Sequence, residues 1–375
     1  AFSFRAGSSW RSVSWSDVNI RVRAMAAGLR SLGVQDEEPV GIVCGTRVEW
    51  LYVDIGINVA GAATTTIYPS STADDCAYIV GDSGCRLVFA EDDAQVEKLR
   101  AVQSQISSVL HVINIDGAGS DDGWVIALAD LEARGNAWLE EAPEGLDEVR
   151  SRLTPQHLAT LIYTSGTTGR PKGVELLHDS WLYISESIES TGLMSSADRQ
   201  FLWLPLSHSF GKMLETVAIG LGVPTAVDGE IPRIVENLAS VQPTFMAAAP
   251  RIFEKVYNKV VSGAQQAGGL KLKIFRWAVK VGRASSKELQ AGRKPTGILA
   301  VQYKLADTLV FSKLRALFGG RMRFFISGSA PLNRDIAEFF HAAGLLILEG
   351  YGLTESSAAS FVNLPNDNEF GTVGV

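Results

Sequence analysis

Short apolar, β-branched runs recur along the chain, each separated from the next by a segment of helical spacing. Pro39-Val40-Gly41-Ile42-Val43-Cys44 is such a run, and Val48 to Ala60 then reads as a helix. Ala63 to Ile67 predicts the next strand, and Pro69-Ser70-Ser71-Thr72 offers turn and N-cap chemistry for a helix to about Gly81. Arg86–Ala90 and His111–Ile115 predict two further strands. After about residue 155 the pattern resumes, with strands at Phe201–Leu206, Pro224–Val227 and Thr244–Ala248 and helices at Lys212–Leu221 and Ile231–Val241. Repeated β-α units of this length imply a mainly parallel sheet covered by helices on both faces. The expected fold class is α/β, with two packed doubly wound subdomains: 1–155 the first, 156–375 the second.

Two stretches break the pattern. Residues 117–155 are richer in charge and glycine and read as a surface excursion or a connection between subdomains. Gly268 to Pro295 carries Lys271, Lys273, Arg276, Lys280, Arg283, Lys287, Arg293 and Lys294 against one acid, Glu288, with Leu270, Leu272, Ile274, Phe275, Trp277, Val279 and Val281 interleaved. A solvated helical hairpin with an ordinary basic face explains it. A peripheral contact with an anionic membrane surface is the alternative.

A chain of 375 residues exceeds one ordinary domain. Hydrophobic residues at 46% and charged residues at 20% describe a water-soluble globular protein. A net charge of −7 argues against nucleic acid as the main partner, because counterion release needs a basic surface. Cys44, Cys76 and Cys85 are odd in number and lack metal-ligand spacing, so reduced, mostly buried thiols and a cytoplasmic location are expected. No apolar run is long enough to span a bilayer.

The chemistry is concentrated in four segments. Leu161-Ile162-Tyr163-Thr164-Ser165-Gly166-Thr167-Thr168-Gly169-Arg170-Pro171-Lys172-Gly173 is an apolar strand running into a loop of Ser, Thr and Gly with one Lys. Glycine lets backbone approach a ligand closely, and free N–H groups, hydroxyls and an ammonium suit polyphosphate. The spacing is not that of the P-loop NTPases. Leu348-Glu349-Gly350-Tyr351-Gly352-Leu353-Thr354-Glu355 also follows an apolar strand, Gly344 to Leu348. Tyr351 can stack on a purine, Thr354 offers a hydroxyl to an α-phosphate, and Glu355 suits Mg²⁺, a hard cation that prefers oxygen ligands. Phe325-Ile326-Ser327-Gly328-Ser329-Ala330-Pro331-Leu332 permits close backbone approach at Gly328, and is equally sensible as a strand-to-helix turn. Leu204-Pro205-Leu206-Ser207-His208-Ser209-Phe210-Gly211 carries one of only five histidines, no two of which have ligand spacing on a helix, so a catalytic zinc is not supported. A Gly-x-Ser-x-Gly elbow and an early Gly-x-Gly-x-x-Gly are both absent, which disfavours an α/β-hydrolase and a dinucleotide oxidoreductase.

In this order the four segments resemble the signatures of the acyl-adenylate-forming superfamily (AMP-dependent synthetases and ligases), and the first and fourth resemble its long-chain fatty acyl-CoA synthetase branch. The resemblance covers essentially the whole chain, and Trp10 to Leu32 is similar to the family's early helix. It implies the N-terminal lobe of an adenylating enzyme and a reaction in two halves. A carboxylate, such as a long-chain fatty acid, first attacks the α-phosphorus of Mg·ATP to give an acyl-adenylate. The thiol of coenzyme A then displaces AMP.

By the same resemblance Thr164, Ser165, Gly166, Thr167, Thr168, Gly169 and Lys172 would cradle the β- and γ-phosphates. Thr354 would meet the α-phosphate, and Glu355 with Thr164 would hold Mg²⁺. Gly328, Ser329, Ala330 and Tyr351 would seat the adenine, Glu349, Gly350 and Gly352 would join the cofactor-binding residues, and His208 would lie near the substrate carboxylate. Lys172, His208, Thr354 and Glu355 are the expected catalytic set. Trp203, Phe210, Phe245 and Phe253 would either line an acyl channel or pack in the core.

The family's ribose-binding acidic segment, hinge and small C-terminal lobe with its Lys are not found before Val375, and both termini look cut. A fragment with weak or no turnover of its own is the expectation. Two rival readings share the motifs: an assembly-line domain that loads a carrier-protein thiol, and a non-catalytic nucleotide- or acyl-binding module.

Overall fold

The computed structural model describes residues 1–164 and 169–374. In chain order the strands are β1 (Phe2–Ala6), β2 (Ser9–Val13), β3 (Pro39–Val43), β4 (Ala63–Ile67), β5 (Leu87–Ala90), β6 (His111–Asn114) and β7 (Val125–Ala127). They continue with β8 (Leu158–Thr164), β9 (Lys172–Leu177), β10 (Gln200–Leu202), β11 (Thr225–Val227), β12 (Phe245–Ala248), β13 (Phe324–Ser327), β14 (Leu346–Tyr351) and β15 (Phe361–Val362). One sheet has the order β7-β6-β5-β3-β4-β8-β9, the other β15-β14-β13-β12-β10-β11-β1-β2. Both are parallel except at their margins, where β8–β9, β1–β2 and β14–β15 pair antiparallel. Every residue of β4, β5, β12 and β13 is buried, as strands covered on both faces require.

Sheet membership departs from a division at 155/156 in two places. The opening hairpin β1–β2 joins the second sheet, with Phe2 opposite Thr225, while β8 and β9 complete the first, with Thr65 opposite Leu161. The sheets are also tied by polar contacts: Thr46 Oγ1 donates to the Leu204 carbonyl at 2.8 Å, and Thr66 Oγ1, buried, to the Ser207 carbonyl at 3.0 Å.

Local signals in the sequence hold where side chains cap the backbone. The helix Ala73–Ser83 starts at Thr72, whose hydroxyl accepts from Asp75 N at 3.1 Å, and ends at Gly84 with φ 74°. The opening stretch is corrected: Trp10 to Leu32 is not one helix. Ser9–Val13 is strand, and the helix begins at Trp15 behind a capping box made by Ser14 and Asp17. The strand expected at Phe201–Leu206 is confined to Gln200–Leu202, because Pro205 has no N–H to give a ladder and Trp203 Nε1 turns away to the Ala247 carbonyl.

The stretch 117–155 is no surface excursion. It supplies β7 and the helices Leu128–Glu141 and Gly145–Arg152. Leu128, Leu131 and Gly135, spaced i, i+3, i+7, form a narrow buried seam against the helix Trp15–Ser31. Gly135 sits so close that a Cβ would overlap the Ala24 carbonyl, and a Cβ on Gly28 would meet the Leu131 carbonyl at 2.5 Å. Asp130, Arg134, Glu140 and Glu141 stand on the exposed side of this helix.

Candidate active site

β8 and β9 form an antiparallel hairpin with Thr164 opposite Lys172. The lead into β9 is anchored: Tyr78 Oη donates to the Pro171 carbonyl at 2.9 Å, and the Arg170 guanidinium lies 5.1 Å from the Tyr78 ring centroid. Ser165, Gly166, Thr167 and Thr168, four of the expected phosphate contacts, lie outside the described residues.

Thr164 and Lys172 open on a cavity of about 560 Å³ at the carboxyl ends of β13 and β14. Its wall also includes His208, Ser209 and Phe210, Gly328 and Ser329, and Gly350 through Glu355. Segments separated by well over a hundred residues thus converge where the end of β8 in one sheet meets the carboxyl ends of β13 and β14 in the other. Ile188, Leu193, Met194, Met213 and Ile326 give the same cavity an apolar wall. Of the expected site residues, Gly169, Ala330 and Glu349 do not line it.

Glu349, expected among the cofactor-binding residues, is not on the cavity wall. It is buried on β14, its Oε2 accepts from Leu332 N at 3.3 Å and its Oε1 from Gly371 N at 3.0 Å. The carboxylate therefore ties the turn after β13 to the segment after Phe370. Of the four aromatics considered for an acyl channel, only Phe210 lines the cavity. Phe245 stacks on Phe324, Phe253 packs edge-on to Phe325 and Phe340, and Trp203 is buried.

His208 caps the helix Ser209–Gly220, its Nδ1 accepting from Phe210 N at 3.1 Å. That bond leaves Nε2 to carry the proton. Burial pushes the imidazole below its ordinary value of 6.5, so it is neutral at pH 7 and offers an N–H donor. Thr354 lies in the short turn Thr354–Ser356, where its hydroxyl meets Ser209 Oγ at 3.2 Å. Glu355 and Tyr351 are exposed on the cavity rim, and the Tyr351 ring tilts 38° to Phe361 at 6.4 Å. Gly352 is demanded by packing: a Cβ there would overlap the Ala358 carbonyl. Ser329 (φ 68°), Ser357 (φ 58°) and Ala358 (φ 79°) are left-handed without being glycine, and two of them line the cavity. Such strain, about 1–3 kcal/mol per residue, gathers where a ligand dictates the backbone path.

The whole chain matches the family described as "AMP-binding enzyme", over residues 1–375. The chain belongs to the AMP-binding enzyme family. Among curated relatives this AMP-binding enzyme is 34% identical over 367 residues to a long-chain-fatty-acid–CoA ligase, FadD15, of Mycobacterium bovis, covering 97% of this chain and 59% of the relative. It is 30% identical over 374 residues to the human long-chain-fatty-acid–CoA ligase ACSBG2, covering 98% and 55% respectively. The chain therefore spans little more than half the length of these relatives. Its fold is similar, at a TM-score of 0.72 and 18% identity, to a long-chain-fatty-acid–CoA ligase (FadD1) from Archaeoglobus fulgidus, covering 97% of this chain and 63% of that one.

Several lining residues of this AMP-binding enzyme were not singled out from sequence: Ile188, Thr191, Leu193, Met194, Met213, Ala358 and Val362. Ser209 stood inside a quoted motif without an assigned role. The aliphatic residues carry no chemical signal of their own; only the packing of the helix His178–Ser190 against Ser209–Gly220 turns them toward the cavity. Among the described residues no cluster of three or more His, Cys, Asp or Glu is arranged for a metal. One carboxylate, Glu355, and one hydroxyl, Thr164, on the same cavity nonetheless fit Mg²⁺, which keeps most of its waters and shares substrate phosphates. Cys44, Cys76 and Cys85 are all free and buried, and burial raises the Cys76 thiol to about 11. No helix among the described residues is long and apolar enough to cross a membrane.

Proposed function

We propose that the protein activates a long-chain fatty acid, first as the acyl-adenylate and then as the coenzyme A thioester. The observation carrying this is the single cavity in which Thr164, Lys172, His208, Ser329, Tyr351, Thr354 and Glu355 face an aliphatic wall. The names of the similar ligases favour a long acyl chain, and coenzyme A over a carrier-protein thiol, as acceptor.

In this reading one carboxylate oxygen of the acid bonds to the α-phosphorus of ATP and the bond to the β-phosphate oxygen breaks, releasing pyrophosphate. The thiolate of coenzyme A then attacks the acyl carbon and AMP leaves. Lys172 and the hairpin connection neutralise the β- and γ-phosphates, and Thr354 holds the α-phosphate. The His208 Nε2–H donates to the acid's carboxylate. Tyr351 stacks on the adenine while the Gly328-Ser329-Ala330 backbone meets its edge. Mg²⁺ on Glu355 and Thr164 would supply further neutralisation of phosphate charge. Positioning and charge neutralisation are the main demands of transfer at phosphorus. A cytoplasmic location with peripheral contact at the inner membrane face, through residues 268–295, completes the proposal.

Calorimetric titration with non-hydrolysable acyl-adenylate analogues from C2 to C16 tests it. Affinity is expected to rise with chain length as apolar area is buried. A folded sample that binds none of them, or binds the C2 analogue best, overturns the long-chain reading.

A further inference from the structure

The protein's charge is unevenly distributed. Residues 269–317 hold eleven Lys and Arg against two acids, a net +9, which leaves −16 for the rest of a chain whose total is −7. Both acids are already paired, Glu288 with Arg293 at 2.8 Å and Asp307 with Arg315 at 2.6 Å. None of the seven lysines, Lys271, Lys273, Lys280, Lys287, Lys294, Lys304 and Lys313, has an ionic partner among the described residues.

Most of the apolar residues interleaved with these lysines are not on the surface, Leu270 at 72% exposed being an exception. Leu272, Ile274, Phe275, Trp277, Val279 and Val281 turn partly or wholly inward along the helix Gly269–Gln290. A continuous set of exposed aliphatics stands on the next helix, Gly297–Ala306, and its continuation: Ile298 is 78% exposed, Val301 71%, Leu305 53% and Leu309 39%. Their spacing, i, i+3, i+7, i+11, is one stripe. At Leu309 the stripe runs into a cleft of about 310 Å³ lined by Val260, Phe275, Val310, Leu314 and Leu317, with Lys313 on its wall. This region adjoins the amino-terminal approach to β14, where Tyr303 Oη donates to the Ala342 carbonyl and Arg315 to the Ala343 carbonyl. The adenylate cavity is at the opposite, carboxyl, end of that strand.

We infer that the Ile298–Val301–Leu305–Leu309 stripe, framed by the unpaired lysines, is a docking surface for an anionic lipid bilayer. This deepens the membrane contact proposed above, and moves the inserting element from residues 268–295 to the helix that follows. An apolar stripe flanked by unpaired cations is the pattern that binds such surfaces: aliphatics enter the acyl boundary and cations meet the headgroups. A second copy of the chain would set +9 against +9, and nucleic acid would gain nothing from exposed aliphatic side chains.

Vesicle co-sedimentation of the full chain, without ATP or fatty acid, tests this independently of the ligase reading. Partition onto phosphatidylglycerol-containing vesicles is expected, weakening with salt, and no partition onto pure phosphatidylcholine. I298D/V301D should lose at least about tenfold in partition, and K271E/K280E/K287E should lose it with a flatter salt dependence. Both variants should keep the parental melting curve and adenylate-analogue affinity, since the changed side chains are exposed and far from the cavity. The inference fails if the parent ignores anionic vesicles or if I298D/V301D binds them unchanged. It fails equally if light scattering shows that the stripe instead holds two copies together.

Discussion

Ser209 Oγ and Thr354 Oγ1 lie 3.2 Å apart, both buried, and join segments 145 residues apart in the chain. Ser209 opens the helix capped by His208, and Thr354 begins the turn that presents Glu355. The contact thus holds the carboxylate-facing and phosphate-facing parts of the cavity in one frame. Ser209→Ala and Thr354→Ala should each weaken adenylate-analogue binding, and the double variant should lose less than the sum. The coupling expected for one neutral hydrogen bond is about 0.5–1.5 kcal/mol. Strictly additive losses in the titrations would show that the contact is incidental.

His208 makes the site sensitive to acid. Its pKa is lowered by burial from the ordinary 6.5, and His178 and His341 shift the same way, also chiefly through burial. The unfolded chain then binds more protons than the folded one as pH falls through 6.5, so stability should decline toward pH 5. Protonation would also remove the Nδ1 acceptor from Phe210 N. Denaturant midpoints at pH 7.5 and pH 5 check this. His208→Gln, which cannot titrate, should flatten part of the slope, and an unchanged pH profile would remove His208 from the account.

A buried ionic cluster braces the helix behind His208. The Lys212 ammonium is paired with Asp54 on the helix Val48–Val59 and lies 3.3 Å from Glu215 Oε2, with all three side chains almost inaccessible. Burial raises the Glu215 carboxyl well above the usual glutamate range. Lys212→Met removes the cation and strands a buried carboxylate, at an expected cost of about 3–5 kcal/mol. Replacing all three by apolar residues of similar size should recover most of that loss, because the desolvation demand disappears with the charges. If urea denaturation shows the single variant as stable as the parent, the ammonium is not what holds the cluster.

Glu349 acts on two backbone N–H groups, those of Leu332 and Gly371. Glu349→Ala leaves both without this acceptor, with an expected stability loss of about 1–3 kcal/mol per group that water cannot reach. Glu349→Gln keeps one carbonyl acceptor and should recover part of it. Because Glu349 is absent from the cavity wall, affinity for an adenylate analogue should fall with stability across the pair rather than selectively. A selective collapse of binding in a fully stable Glu349→Gln protein would return this residue to the cofactor-binding set.

The sequence alone determined the features that depend on a few neighbouring residues. The Thr72 cap and the buried β4 and β5 runs follow from local chemistry. So do the strand ends at Thr164, Gly328 and Tyr351, because apolar strands closing on Gly- and Ser-rich turns are readable at short range, whereas their meeting at one cavity from two different sheets is not. What only the tertiary structure decided is long-range. The hairpin β1–β2 belongs to the sheet of β11, and β9 turns back antiparallel on β8, since strand partners are chosen by packing energy summed over distant segments. The charged stretch 117–155 hides a glycine seam against the first helix, visible only when Ala24 and Gly135 are brought together. Glu349 sits in a ligand motif yet spends its carboxylate on two distant backbone amides. A residue type states what chemistry is available, and the fold decides which atoms are close enough to use it.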